Sequence, residues 1–95
     1  MGAAFVRGAE GKGVGTCVKQ VIGNDQETDR ETENSEISER ALREVYLAPV
    51  LASIRAGSKV IMASFNRLNG SYATSHHPEP SVRMISMKRY AEFYA

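Results

Sequence analysis

Several groups of residues in this 95-residue chain have the types and spacing for chemistry. The first is an acidic run. Between Asp25 and Glu44 lie eight acidic residues (Asp25, Glu27, Asp29, Glu31, Glu33, Glu36, Glu39 and Glu44) and only three arginines (Arg30, Arg40 and Arg43), so this segment is net −5 in a chain of formal charge +1. Paired carboxylates are what glycoside cleavage requires, but a charge run is by default a solvated surface. The second group is the glycine cluster in GAEGKGVGT. It does not fit the G-x-G-x-x-G fingerprint, because the third glycine would fall at Thr16 or Val18. It also precedes an apolar run instead of following one, and Gly11-Lys12 is followed by Gly13 where a P-loop needs Ser or Thr. His76 and His77 are adjacent, so their side chains diverge, and no further ligand cluster accompanies them. Cys17 is the single cysteine, which excludes an intrachain disulfide and cannot alone make a zinc site. No metal and no other cofactor is implied. Asn69-Gly70-Ser71 is a formal glycosylation acceptor, although Asn-Gly is also a turn signal. Finally, Lys19 and Gln20 sit in the middle of an apolar run, where a purely structural strand would carry apolar side chains.

The elements that must position these groups are legible in part. Thr16 to Ile22, bounded by Gly15 and Gly23, has the β-branched content and length of a short strand. Asn24 to Ile37 is almost wholly polar and reads as a loop, long enough to suggest a function. Ser38 is a candidate helix N-cap, Ile37 and Leu42 occupy hydrophobic-staple positions, and Glu39 suits the positive end of the helix. Apolar residues recur at Leu42, Val45, Tyr46, Val50 and Ile54 with helical spacing. Pro49 lacks an N–H and predicts a kink or two abutting helical segments. Gly57 supplies the stop. Lys59 to Phe65 is then a nearly continuous apolar run, which suits a strand buried on both faces of a parallel sheet. Strand, helix and strand make a βαβ unit, so the fold class is α/β. In such folds ligands sit beyond the carboxyl ends of the strands. This directs attention to Lys19–Gly23 with the loop after them, and to Met62–Asn69.

Composition narrows the function classes. Twelve Lys and Arg balance eleven Asp and Glu, which gives no general electrostatic case for nucleic acid or a membrane surface. The chain is 42% hydrophobic and 24% charged, within the globular range. Apolar stretches are far short of the about 18 residues that a membrane span needs. The N-terminal residues MGAAFVRGAEGKG lack the apolar core of an export signal, and neither localisation nor oligomeric state can be read. A chain of this size buries little surface and is marginal alone.

The stretches KQVIGNDQETDR (Lys19–Arg30) and ISERALREVYLAPVLASIRAGSKVIMASFNRLNGSYAT (Ile37–Thr74) resemble the N-terminal barrel domain of glycoside hydrolase family 3, the β-glucosidase type. AFVRGAEGKGVG is similar to the helix end and turn that precede this strand in the family. The resemblance implies a βαβ segment of a (β/α)8 TIM-like barrel, incomplete here, with residues 1–75 as a partial family domain and 76–95 as a divergent tail. It implies a retaining enzyme that releases terminal β-linked glucose from a glucoside or oligosaccharide substrate, in a family whose members are often secreted. Its substrate-binding positions fall on Lys19, Gln20, Arg30, Met62 and Phe65. Lys19 matches the family's lysine and offers up to three donors to sugar hydroxyls. Gln20 stands where the family has His and cannot become positively charged. Arg30 matches a loop arginine that reaches into the same pocket, and Met62 and Phe65 match side chains that pack against the sugar.

A retaining glycosidase also needs a nucleophilic and an acid/base carboxylate, about 5–5.5 Å apart. In the family these come from a later barrel strand and usually from another domain, so Asp25, Glu27 and Asp29 are not assigned to that role. No catalytic residue is expected in this chain, and the 95 residues alone are expected to be inactive. The alternative is a non-catalytic sugar-binding or interaction fragment that pairs exposed strand edges with another chain. The tail SHHPEPSVRMISMKRYAEFYA departs from the family pattern. Val82, Ile85, Tyr90 and Phe93 could line one side of a short basic helix there, which is read as an extension without selected function.

Overall fold

A computed structural model of the chain describes residues 1–75. The adjacent histidines and the amphipathic reading of the tail fall outside the described residues. The elements in chain order are α1 (Gly2–Glu10), β1 (Cys17–Val21), β2 (Asn34–Ser35), α2 (Glu39–Ala41), a π-helical segment (Leu42–Leu47), α3 (Ala48–Arg55), β3 (Val60–Ala63), β4 (Arg67–Leu68) and β5 (Ser71–Tyr72).

The central helix begins as its sequence requires. The Ser38 hydroxyl accepts a hydrogen bond from the Ala41 amide at 3.2 Å, satisfying one of the unpaired donors of the first turn. Ile37 packs against the buried cluster that contains Leu42, as a hydrophobic staple should. The interruption expected at Pro49 takes a specific form: the turn Leu42–Leu47 is widened to π geometry, and a regular helix resumes with Pro49 in its first turn. A proline there has no amide to donate and its ring crowds the preceding turn, so widening that turn relieves both demands. After α3 the chain leaves through Gly57 at φ +113°.

β1 and β3 pair in parallel, with Cys17 opposite Val60 and Val18 opposite Ile61. Beyond them the register shifts, so that Val21 lies opposite Ala63. The Lys19–Gln20 and Val21–Ile22 peptide bonds are cis. Val21, Ile22, Leu42, Leu47, Val50 and Leu68 form the core, and Val18 and Ile61 pack against it. The helix thus covers one face of the pair. The other face is bare among the described residues: Val60 is 53% and Met62 36% exposed, while Ile61 and Ala63 are half-buried. This corrects the expectation that this strand is buried on both sides. A continuous apolar run admits either arrangement, and here only one layer packs on the sheet.

A second, small sheet follows, with β2 parallel to β4 and β4 antiparallel to β5. Asn69 (φ +47°) and Gly70 (φ +92°) join β4 to β5. Two consecutive positive φ values define the two-residue turn that Asn-Gly favours. The Asn69 side chain also grips the Ile37 backbone, accepting from its amide at 2.9 Å and donating to its carbonyl at 2.8 Å. The asparagine of the glycosylation motif is therefore occupied by the fold.

α1 is fastened to β1 and β3 by Glu10. One oxygen of this carboxylate accepts from the Thr16 amide (2.8 Å) and hydroxyl (2.9 Å), and the other lies 3.4 Å from the Lys59 ammonium. The two donations from Thr16, aided by Lys59, hold the Glu10 carboxyl below its usual range.

Candidate functional site

The carboxyl end of β1 is framed by buried polar groups. Ser64 and Asn66 are 1% and 0% exposed. The Ser64 hydroxyl and the Asn66 amide each donate to the Ile22 carbonyl at 3.0 Å, and Asn66 also donates to the Arg67 carbonyl at 3.0 Å. The hydroxyl of Ser35 donates to the Gly23 carbonyl at 2.7 Å. These bonds tie the end of β1 to the turn after β3 and to β2. They also explain Gly23, whose φ of +84° suits glycine and whose missing side chain leaves room for Ile37, Asn66 and Ser35.

Lys19 is exposed and Gln20 half-buried at this end. Both border a cleft of about 350 Å³ that also touches Asn24, Asp25 and Tyr46. Its size is at the lower end of small-molecule sites, which run from about 300 to 1,000 Å³. The Asn24 side-chain amide donates to Gln20 Oε1 at 2.8 Å. The Tyr46 hydroxyl donates to Asp25 Oδ2, and that bond, with partial burial and the nearby negative charge, raises the phenol above its ordinary value.

The other positions are distributed differently. Met62 follows Ile61 on β3 and Lys19 follows Val18 on β1, in the stretch where the register of the two parallel strands shifts. Arg30 and Phe65 come together, with the guanidinium carbon 5.9 Å from the ring centroid, the distance of a cation–π contact. Glu27 holds the same guanidinium through a 2.9 Å ion pair. The 350 Å³ cleft contains Lys19 and Gln20 but not Arg30, Met62 or Phe65. The five positions thus gather at the strand ends without lining one cavity.

The acidic residues here have local partners. Asp25 is bound by Tyr46 and Glu27 by Arg30. Among the described residues no group of three or more His, Cys, Asp or Glu could hold a metal ion. Asn24 and Asp25 lie in the loop to which the sequence directs attention but carry no assigned role there, and Tyr46 reads in the sequence only as an apolar helix position. Asn24 carries a weak signal, four residues after Gln20, whereas the Asp25–Tyr46 pair spans 21 residues and has none.

A parallel strand–helix–strand unit with polar side chains at the carboxyl ends of its strands is the arrangement of an α/β enzyme site. The chain belongs to glycosyl hydrolase family 3, whose N terminal domain it matches over residues 1–79. It is 41% identical to a beta-glucosidase of Rhizobium radiobacter over 76 residues, which cover 79% of the chain and 9% of that protein. Its fold is similar to a beta-glucosidase from Kluyveromyces marxianus in complex with glucose, with a TM-score of 0.74 and 38% identity over 77% of the chain and 9% of the other. It is also similar to beta-glucosidase 3B from Thermotoga neapolitana in complex with glucose, at a TM-score of 0.70 and 39% identity, covering 78% and 10%. The chain therefore spans about a tenth of the length of these proteins.

Proposed function

We propose that this chain acts as part of a retaining β-glucosidase, contributing one side of the subsite that holds the terminal glucose of a glucoside or oligosaccharide. Residues 1–75 are then one βαβ segment of a (β/α)8 TIM-like barrel, incomplete by themselves, and 76–95 a divergent tail. What supports the reading is that Lys19 and Gln20 lie on β1 beside the parallel β3, which carries Met62 and leads to Phe65, with Arg30 over the Phe65 ring. Lys19, Gln20 and Arg30 supply hydrogen-bond donors, and Met62 and Phe65 supply an apolar surface for the face of a sugar ring. That glucose is bound in two of the related structures supports the choice of ligand.

The Asp25 and Glu27 carboxylates are engaged by Tyr46 and Arg30, and neither is proposed as a member of the reacting pair. The 95-residue chain should accordingly give no turnover of a chromogenic β-glucoside. Turnover that survives Lys19→Ala would overturn both the missing pair and the subsite. The exposure of Val60, Met62 and Phe65 favours a second reading, a non-catalytic module that docks this face on other polypeptide. Glucose binding that is unaffected by changes at Lys19 would favour that reading.

A further inference from the structure

We propose that Asn24 is a positioning residue that makes Gln20 a hydrogen-bond donor toward the sugar, replacing by geometry what the glutamine cannot supply by charge; this rests on the subsite reading above. A glutamine side chain is ambivalent, with one end accepting and the other donating. In this chain the ambiguity is removed. Asn24 Nδ2 donates to Gln20 Oε1 at 2.8 Å, which occupies the accepting end. Gln20 Nε2 makes no hydrogen bond among the described residues and is left for a ligand in the cleft that both residues border.

Asn24 is itself held in one orientation. Its Nδ2 lies between two acceptors, Gln20 Oε1 and Glu27 Oε1, the latter at 3.4 Å. Rotating the amide by half a turn would set its oxygen against Glu27 Oε1 whichever way Gln20 turns. Its Oδ1 is buried without a partner, so the orientation is kept at the expense of an unmade bond. Glu27 carries the same constraint onward, because its other oxygen accepts from Arg30 Nη1 at 2.9 Å and Arg30 lies over Phe65. Gln20, Asn24, Glu27, Arg30 and Phe65 form one connected series around the loop after β1. With Lys19 beside it, Gln20 presents donors to the cleft, and these two side chains select a ligand that offers oxygen acceptors to them.

The test is a glucose titration of the ¹⁵N-labelled 95-residue chain, following backbone amides and the Gln20 side-chain NH₂ resonances. In the wild type these resonances should shift together with the Lys19 amide. Gln20→Glu keeps the bond from Asn24 but offers the sugar no donor, and should weaken binding about fivefold, the factor expected for one hydrogen bond. Asn24→Asp accepts where Asn24 donated, so Gln20 should turn its NH₂ inward; binding should fall by a similar factor, and the Gln20 NH₂ resonances should stop responding to glucose while Lys19 still responds. Comparable backbone spectra in the free variants separate this result from unfolding. Unchanged affinity in Gln20→Glu, or an unchanged Gln20 response in Asn24→Asp, overturns the positioning role and leaves the subsite standing. Glucose binding that never perturbs Lys19 or Gln20 in the wild type overturns both.

Discussion

Removing the Asn66 side chain should reveal how the strand ends are held. Asn66 is fully buried, and its amide donates at 3.0 Å to both the Ile22 and Arg67 carbonyls, with a weaker 3.4 Å contact to the Ser35 hydroxyl. Each of the two good bonds has a net worth of about 1 kcal/mol, and deletion of the unpaired Oδ1 offsets part of the loss. Allowing for the void left behind, Asn66→Ala should destabilise by about 2 kcal/mol. Ser64→Ala should cost about 1 kcal/mol, because the Ile22 carbonyl keeps its bond from Asn66. The double variant is the informative one. Ile22 is buried, and its carbonyl then loses both donors, so an unsatisfied acceptor appears that neither single change creates. The double loss should exceed the sum of the singles by about 1 kcal/mol. Urea denaturation followed by circular dichroism, paired with amide exchange in β1, measures all three. Additivity to within about 0.5 kcal/mol would refute the shared-carbonyl account.

Three further outcomes follow from the same contacts. The Glu10 carboxyl is held below its ordinary 4.5 by Thr16 and Lys59, so its stabilisation is complete above about that pH and is lost as pH falls through the lower folded value; Glu10→Gln should flatten the acid limb of the stability curve. The Tyr46 phenol is raised above its ordinary 10.0 by Asp25, so its contribution is present below that pH and is lost as pH climbs through the higher folded value. Tyr46→Phe should be less sensitive to alkali in the same denaturation assay. Gly23→Ala places a methyl at φ +84°, 3.2 Å from Ile37 Cδ1, and should cost about 2 kcal/mol by the same measurement.

Much of the βαβ unit was legible because its signals are local. Ser38, Ile37 and Leu42 mark the helix start through contacts within one turn, and Gly57 marks its end. An apolar run bounded by glycines located β1, a nearly continuous apolar run after Gly57 located β3, and Asn69-Gly70 located a turn. The one-sided burial of β3 was not legible, since Val60, Ile61 and Met62 are alike in hydrophobicity and only the placement of the helix distinguishes their faces. β2, β4 and β5 are two-residue strands of mostly polar residues, stabilised by the Asn69 grip on Ile37, a contact across 32 positions. For the site, residue type and the rule of strand ends selected Lys19 and Gln20. Arg30 could be named but not placed, because its position over Phe65 depends on the path of a polar loop. Asn24 lies in the loop that the strand-end rule points to, but only its bond to Gln20 singles it out.

If the carboxyl ends of β1 and β3 form one side of a glucose subsite, titrating the labelled chain with glucose should shift resonances centred on Lys19, Gln20, Met62 and Phe65, and these shifts should be lost in Lys19→Ala. Perturbations confined to residues 76–95, or a response that Lys19→Ala leaves intact, would contradict it.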